Sequence, residues 1–389
     1  MISILFLVGK DIDLYPYKTN SKRAPLWLSE SAFAFKEFIN DDKTVPSDVA
    51  MAMYISYHHP KDNISCKHAI DVRSKIELDI YDVIYVIYDA IEIFYGACSA
   101  KTCDKERNRF NRILKNTSAF VYPYPKFHNY IINKPYYYSD LKRAGLPIAP
   151  FFKATPQSVL KDVSAFRKKV RNKGWDGIII KPSYAGYSMG IKVLKNFSQV
   201  KDSTIRRDFE FLKDNNFSNA TIQEYIPTFG KNFEIRTYWL NGKYAFAIGT
   251  LTKKVEGGTA GLPIDDEDTF VSEGGTIPDK IKKRLKELGL QVQKALPQYS
   301  SSYPQHPMIR IDFGCCLSEF RDCEDTYFIN EVETMACNLL SEHTDYPVVE
   351  KTAQALYSFA KKVKGKKEPT PYKSTYYAES IPCIPSANA

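Results

Sequence analysis

Two groups of residues have the types and spacing to do chemistry together. The first is a lysine that ends an apolar run, Gly177-Ile178-Ile179-Ile180-Lys181, followed by Pro182, Ser183 and a stretch in which Gly186, Ser188 and Gly190 leave little side-chain bulk. A short β-branched run bounded by turn residues reads as a buried strand rather than a helix. A strand-end ammonium followed by several free backbone N–H groups suits close approach of a polyphosphate. The spacing matches neither a Walker A loop, since no Gly-Lys-Ser/Thr follows, nor a GxGxxG turn. The same residues also fit an exposed strand-end lysine before a plain hairpin. The second group is acidic: Asp312 within the apolar run 308–313, and Glu331 and Glu333 two apart at the end of the next. Strand alternation puts both glutamates on one face. Three carboxylates on neighbouring strands repel one another unless a cation stands between them, and Mg²⁺ prefers such oxygen ligands. Strand-end carboxylates in solvent, or partners of Arg310 and Arg321, would give the same pattern.

The elements that must position these groups are legible to different degrees. A first strand is expected within 4–8, a helix within 28–39 and a second buried strand at 82–88. His58, His59 and His68 read as surface residues. From Phe120 the chain turns tyrosine-rich, with a short helical pattern after Lys134 capped at Gly145 and an extended exit over 146–152. That aromatic cluster is expected to pack between the first and second domains. Thr155-Pro156 opens a helix that runs to Gly174, with Val159, Val163, Phe166 and Val170 on one face. A strand at 221–226 follows, then two strands joined by Asn241-Gly242. Residues 255–278, glycine-rich around Asp265-Asp266-Glu267-Asp268, read as a long mobile loop. Helices at 278–296 and 348–363 flank the two carboxylate-bearing strands.

With 389 residues, 44% of them apolar and 25% charged, the chain has room for two or three globular domains. The first residues carry no basic segment or cleavage site of a signal peptide, and no apolar run approaches the length of a membrane span. Eight cysteines without paired CxxC spacing read as free thiols of a reducing compartment, and the expected location is cytoplasmic. The formal net charge of +9 calls for an acidic partner. No recognition motif accompanies the charge, which argues against nucleic acid and in favour of an anionic small substrate or an acidic protein segment.

AGLPIAPFF after Lys134, KPSYAGYSMGI, IQEYI, Glu234-Ile235-Arg236, and RIDF followed by NEVET occur in an order that resembles the ATP-grasp superfamily over about residues 120–345. AGLPIAP and RID look like D-alanine–D-alanine ligases, whereas FEIRTYWL is similar to the ribosomal-protein glutamate ligase and tubulin-tyrosine-ligase-like families. The resemblance implies an α/β (α+β) fold of ATP-grasp architecture. An N-terminal α/β domain (1–130) would precede two α+β subdomains (131–226 and 227–365) that grip ATP between antiparallel sheets, with a tail at 366–389. It implies that Lys134 and Lys181, with Ser183, Gly186, Ser188 and Gly190, contact ATP phosphates. Gln223, Glu224, Tyr225 and Ile226 would form the hinge at adenine, and Glu234 would bind ribose. Asp312, Glu331 and Glu333 would hold Mg²⁺, two ions or Mn²⁺ in their place, and Arg310, Arg236 and Lys254 would surround the transferred group. The family usually has asparagine where Glu333 stands, and a glycine where Met335-Ala336-Cys337 follow. The implied activity is that of an ATP-dependent ligase joining a small-molecule or peptide carboxylate to an amine. A small-molecule kinase and a non-catalytic ATP-binding module on the same fold are the alternatives.

Overall fold

The computed structural model describes residues 1–9, 47–87, 100–183, 190–215, 217–227, 234–252, 269–272, 277, 279–297, 306–315, 327–334, 339, 344 and 346–366. The expected helix at 28–39 and the tail from 367 lie outside these residues.

Three sheets follow one another along the chain. The first contains β1 (Ser3–Val8), β2 (Asn63–His68), β3 (Val83–Val86) and β4 (Phe120–Tyr122), with α1 (Ser47–His58) and α2 (Ala100–Asn116) in the connections. Its strands are parallel in the order β2-β1-β3-β4. Ile4, Phe6 and Val8 enter one apolar core and Leu5 and Leu7 another. Burial on both faces is why β1 and β3 read as continuous apolar runs.

After α3 (Pro125–Ile131) and α4 (Lys134–Arg143) comes a second, antiparallel sheet. It is built from β5 (Phe151–Ala154), β6 (Ile178–Pro182), β7 (Lys192–Leu194) and β8 (Ala220–Glu224), in the order β5-β8-β6-β7. Helices α5 (Pro156–Lys161), α6 (Val163–Arg171) and α7 (Asp202–Asp214) lie between these strands in sequence. Phe152, Ile178, Ile180 and Ile222 share a core with Val163, Phe166 and Phe209. The single helix expected from Thr155 to Gly174 is two helices. Asp162 leaves helical geometry (φ −149°) and its Oδ1 accepts from Ala165 N at 2.8 Å, starting a new helix in place of continuing the old one.

The third sheet has β9 (Glu234–Leu240), β10 (Lys243–Thr252), β11 (Thr269–Ser272), β12 (Met308–Cys315) and β13 (Tyr327–Glu333), antiparallel in the order β11-β10-β9-β12-β13. Asn241 (φ 49°) and Gly242 (φ 76°) supply the two left-handed residues that a tight hairpin requires. Within the expected long loop over 255–278, β11 is a correction, because Thr-Phe-Val-Ser pairs with residues 249–252 of β10. The acidic stretch of that loop lies outside the described residues. Helix α8 (Asp279–Ala295) lies so close to the sheet that a Cβ on Gly289 would stand 2.1 Å from Trp239 Cζ2. α9 (Val348–Val363) packs against β1, β3 and the far end of β9 and β12 in the largest core. The buried tyrosines of α3 and α4 join Ile235, Ile311 and Val332 in the other core of the third sheet.

Candidate active site

Alternation along β9 and β12 brings Glu234, Arg236, Arg310 and Asp312 to one face, in the pairs Arg236–Asp312 and Tyr238–Arg310. The partner strand adds Glu331 opposite Asp312 and Glu333 opposite Arg310. Between Asp312 and Phe313 the register jumps from Glu331 to Ile329, so Asn330 is the extra residue of a β-bulge. A bulge re-aims the side chain beside it. Asn330 and Glu331, adjacent in sequence, therefore both serve the same site.

The contacts are specific. Arg310 donates through Nε and Nη2 to the two oxygens of Asp312, each at 2.8 Å, and its Nη2 lies 2.9 Å from Glu333 Oε2. Lys181 Nζ donates to Asn330 Oδ1 at 2.8 Å, and Asn330 Nδ2 donates to Glu234 Oε1 at 2.6 Å. Lys134, the first residue of α4, forms an ion pair with Glu331. Arg236 lies 3.5 Å from Glu234. Tyr138, a turn after Lys134, donates its hydroxyl to the backbone carbonyl of Asn330 and so fixes the bulge from behind.

Formal charge is balanced here, because the carboxylates of Glu234, Asp312, Glu331 and Glu333 face the cations of Lys134, Lys181, Arg236 and Arg310. Burial pushes the Glu333 carboxyl up to about 8 despite Arg310. Burial would also raise Glu331, but the Lys134 ammonium beside it, with Arg310 and Lys181, holds its carboxyl at about 2. Burial lowers Lys181 to about 8, against the attraction of Glu331. Glu234 is raised by burial and by Asp312, while Arg310 stays charged because Asp312 and Glu333 outweigh its desolvation.

Lys134, Lys181, Glu234, Arg236, Arg310, Asp312, Glu331 and Glu333 thus meet in one place. Lys181 is not the exposed strand-end ammonium expected: it is 7% exposed, because the third sheet covers the end of β6. Gln223 pairs with Ile179 in the sheet that carries Lys181, and Glu224, Tyr225 and Ile226 continue from it. The amides of Glu224 and Tyr225 are taken by Pro150 O and Gly177 O, both at 2.9 Å. The Ser183 hydroxyl donates to Asn219 Oδ1. Gly190 has φ 71° and no room for a Cβ, which would stand 2.9 Å from Pro182. Gly186, Ser188 and Lys254 lie outside the described residues. Among the described residues no three His, Cys, Asp or Glu side chains are arranged to hold a metal ion. The carboxylates are paired with cations, Asp312 and Glu333 with Arg310 and Glu331 with Lys134.

Sequence reasoning missed two contributors. Asn330 could be found only through the bulge, which the sequence does not mark. Thr221 lies opposite both Lys153 and Lys181 in the sheet register, so all three side chains share a face. Its Oγ1 and Arg236 Nε are buried without a hydrogen-bond partner among the described residues. Buried polar atoms are ordinarily satisfied, so orphans clustered at a charged site point to a ligand that completes them.

Comparison with solved structures identifies the fold that carries these residues. The chain is similar to the D-cycloserine synthetase DcsG, with a TM-score of 0.61 over 93% of this chain and 99% of that one at 13% identity. It is also similar to D-alanyl-alanine synthetase A from Vibrio cholerae, with a TM-score of 0.58 over 93% and 98% at 13% identity. A third is the ATP-grasp ligase PsnB, bound to a phosphomimetic variant of its minimal precursor, Mg and ADP, with a TM-score of 0.51 over 92% and 99% at 14% identity. This chain has the ATP-grasp fold. At these identities the likeness is one of fold, and it extends over almost the whole chain. No protein-family model matches the sequence, nor does any curated protein. No helix among the described residues is long and apolar enough to cross a membrane.

Proposed function

We propose that the protein is an ATP-dependent carboxylate–amine ligase. The observation that carries this reading is the convergence of Lys134 and Lys181, from a helix and from the second sheet, on the carboxylate-bearing end of the third. Two ammonium groups at such a junction suit a polyphosphate, and the unpartnered atoms of Thr221 and Arg236 offer a hydroxyl and a further donor to a nucleotide. Glu224 to Ile226 would lie at adenine and Glu234 at ribose. Glu234 already accepts from Asn330, so ribose would share an occupied carboxylate.

The donor set fits Mg²⁺ as well. Asp312 and Glu331 offer only oxygen, and a Mg²⁺ site in a nucleotide enzyme takes one or two carboxylates with the remaining positions filled by phosphate and water. When bound, Mg²⁺ would neutralise phosphate charge that these side chains, already paired with one another, leave uncompensated.

In the proposed reaction an oxygen of the donor carboxylate attacks the γ-phosphorus and the bond to ADP breaks. The amine nitrogen then attacks the acyl carbon, loses a proton, and phosphate departs. Lys134 and Lys181 bind and orient the phosphates. Arg310 and Arg236 lie where charge accumulates on the transferred group, with Arg310 held rigid by its bidentate bond to Asp312. ADP and phosphate release, screened over amino acids, dipeptides and polyols with MgATP, tests the reading. Release of both that depends on an amine supports it; phosphorylation of an alcohol without free phosphate would identify a kinase instead.

A further inference from the structure

Along α4, from Pro135 to Arg143, a groove of about 550 Å³ separates that helix from β5. Among the described residues β5 is the terminal strand of its sheet and is bonded only to β8. Glu224 N donates to Pro150 O, which sets the antiparallel phase so that the backbone groups of Phe151 and Lys153 point away from β8, into the groove. Among the described residues those groups have no partner. Tyr136, Phe151 and Phe152 line the groove beside Lys142, Arg143 and Lys153. Lys153 stands over the Tyr136 ring at 5.3 Å, and Lys169 over the Phe152 ring at 4.3 Å. Arg143 is paired with Asp140 at 3.2 Å, whereas Lys142 and Lys153 have no carboxylate partner among the described residues.

An edge strand with open backbone groups is a template for another strand, and proteins that do not use such an edge block it. Lysine can serve as that block. Here, however, the lysines and aromatic rings border a recess that a chain could enter, and the recess lacks compensating acid. We propose that the β5 edge is a docking site for an extended acidic peptide segment of a partner or substrate protein, added antiparallel to β5. Antiparallel pairing follows from the antiparallel sheet it would extend. Phe151 and Lys153 point to the same face, so the incoming strand needs an apolar residue opposite the first and an acidic residue two positions away, opposite the second. This site is independent of the ligase reading, since it uses none of the charged groups of the phosphate site.

A fluorescein-labelled peptide Thr-Glu-Thr-Val-Thr-Glu-Thr presents that pattern, and its anisotropy with the full-length protein reads binding. Charge reversal in the double variant Lys142→Glu, Lys153→Glu is expected to weaken binding at least about tenfold. Both side chains lie on the surface, and an unchanged thermal unfolding midpoint confirms that the variant is folded. N-methylation of the Val and Glu residues, whose amides would face β5, should abolish binding, whereas N-methylation of the alternate Thr residues should leave it. Hydrogen exchange at the amides of Phe151 and Lys153 should slow in the complex. No binding, equal binding by the charge-reversed protein, or equal loss with both methylation patterns overturns the proposal. So does competition in which labelled oligothymidylate binds and the peptide does not, which would make the cationic, aromatic groove a nucleic-acid site.

Discussion

The first and third sheets meet in one core and use their faces in opposite ways. In the first, alternate residues of β1 enter apolar cores on both sides, and β3 is buried throughout. In the third, one face is apolar, with Ile235, Trp239, Ile309, Ile311 and Val332, and the other changes character along its length. Tyr238 and Met308 pack on the first sheet. One alternation further along the same face, the chain carries Arg236, Glu234, Arg310 and Asp312. Hydrophobic burial cannot hold that end together. It is maintained by pairing buried charges, an arrangement that contributes little net stability yet is costly to break. The comparison separates residues that make the protein stable from residues kept for a ligand.

The largest expected effect follows from breaking the charge pairing. Arg310→Met leaves Asp312, 2% exposed, and Glu333 without their shared cation and should cost about 3–5 kcal/mol. The urea denaturation midpoint measures it. A loss below about 1 kcal/mol would show that pairing does not maintain this face.

The seam between the two sheets should respond to pH. His306 donates from Nε2 to Pro297 O (3.1 Å), its Nδ1 lies 3.2 Å from the Tyr122 hydroxyl of β4, and it stacks on Phe127 at 4.5 Å. Burial lowers both His306 and His128 to about 4, so the folded state disfavours their protonated forms. The unfolded chain takes up these protons first, near pH 6.5, so stability falls as pH drops from about 6.5 towards 4. Each histidine should contribute a loss of about 2 kcal/mol between pH 7 and 5. His306→Gln should remove its share of the slope, and an unchanged slope would place the acid sensitivity elsewhere.

A smaller effect is expected from the apolar comparator. Ile84→Val, a conservative change in a fully buried residue of β3, should cost about 1 kcal/mol and leave nucleotide affinity unchanged. A change in affinity, followed by calorimetric titration with MgATP, would show that the first sheet is not merely a support.

Legibility in the sequence follows the same division. β6, the Asn241-Gly242 hairpin, the two carboxylate strands and α9 were readable because local apolar runs, turn residues and helical spacing specify them. The convergence of Lys134 and Lys181 on Asp312 and Glu331 could be expected only through family resemblance. β2 is not legible because Asn-Ile-Ser-Cys-Lys-His is polar and half-buried, and its strand state depends on pairing with distant β1. The break at Asp162 was hidden by an apolar spacing that both helices share. The bulge at Asn330 depends on the register of β12 against β13, which no local pattern records. Burial of Lys181 likewise depends on the third sheet lying over the end of the second.

The smallest effect is the sharpest test because it combines two opposite signs. Thr221 Oγ1 is buried without a partner among the described residues, in line with Lys181 across β6 and β8. An unsatisfied buried hydroxyl costs stability, and replacing it by a methyl of similar shape relieves that cost. Thr221→Val should therefore raise the stability of the ligand-free protein by up to about 1 kcal/mol. If the hydroxyl is kept for a nucleotide, the same variant should gain less stabilisation from MgATP than the parent does, since that gain depends on affinity for the folded state alone. Thermal unfolding with and without MgATP reads both quantities on one sample. A variant more stable without ligand and less stabilised with it assigns the orphan to the nucleotide. A variant that responds fully to MgATP makes Thr221 an unsatisfied core residue, and the likeness between this end of the second sheet and the charged face of the third would then end at Lys181.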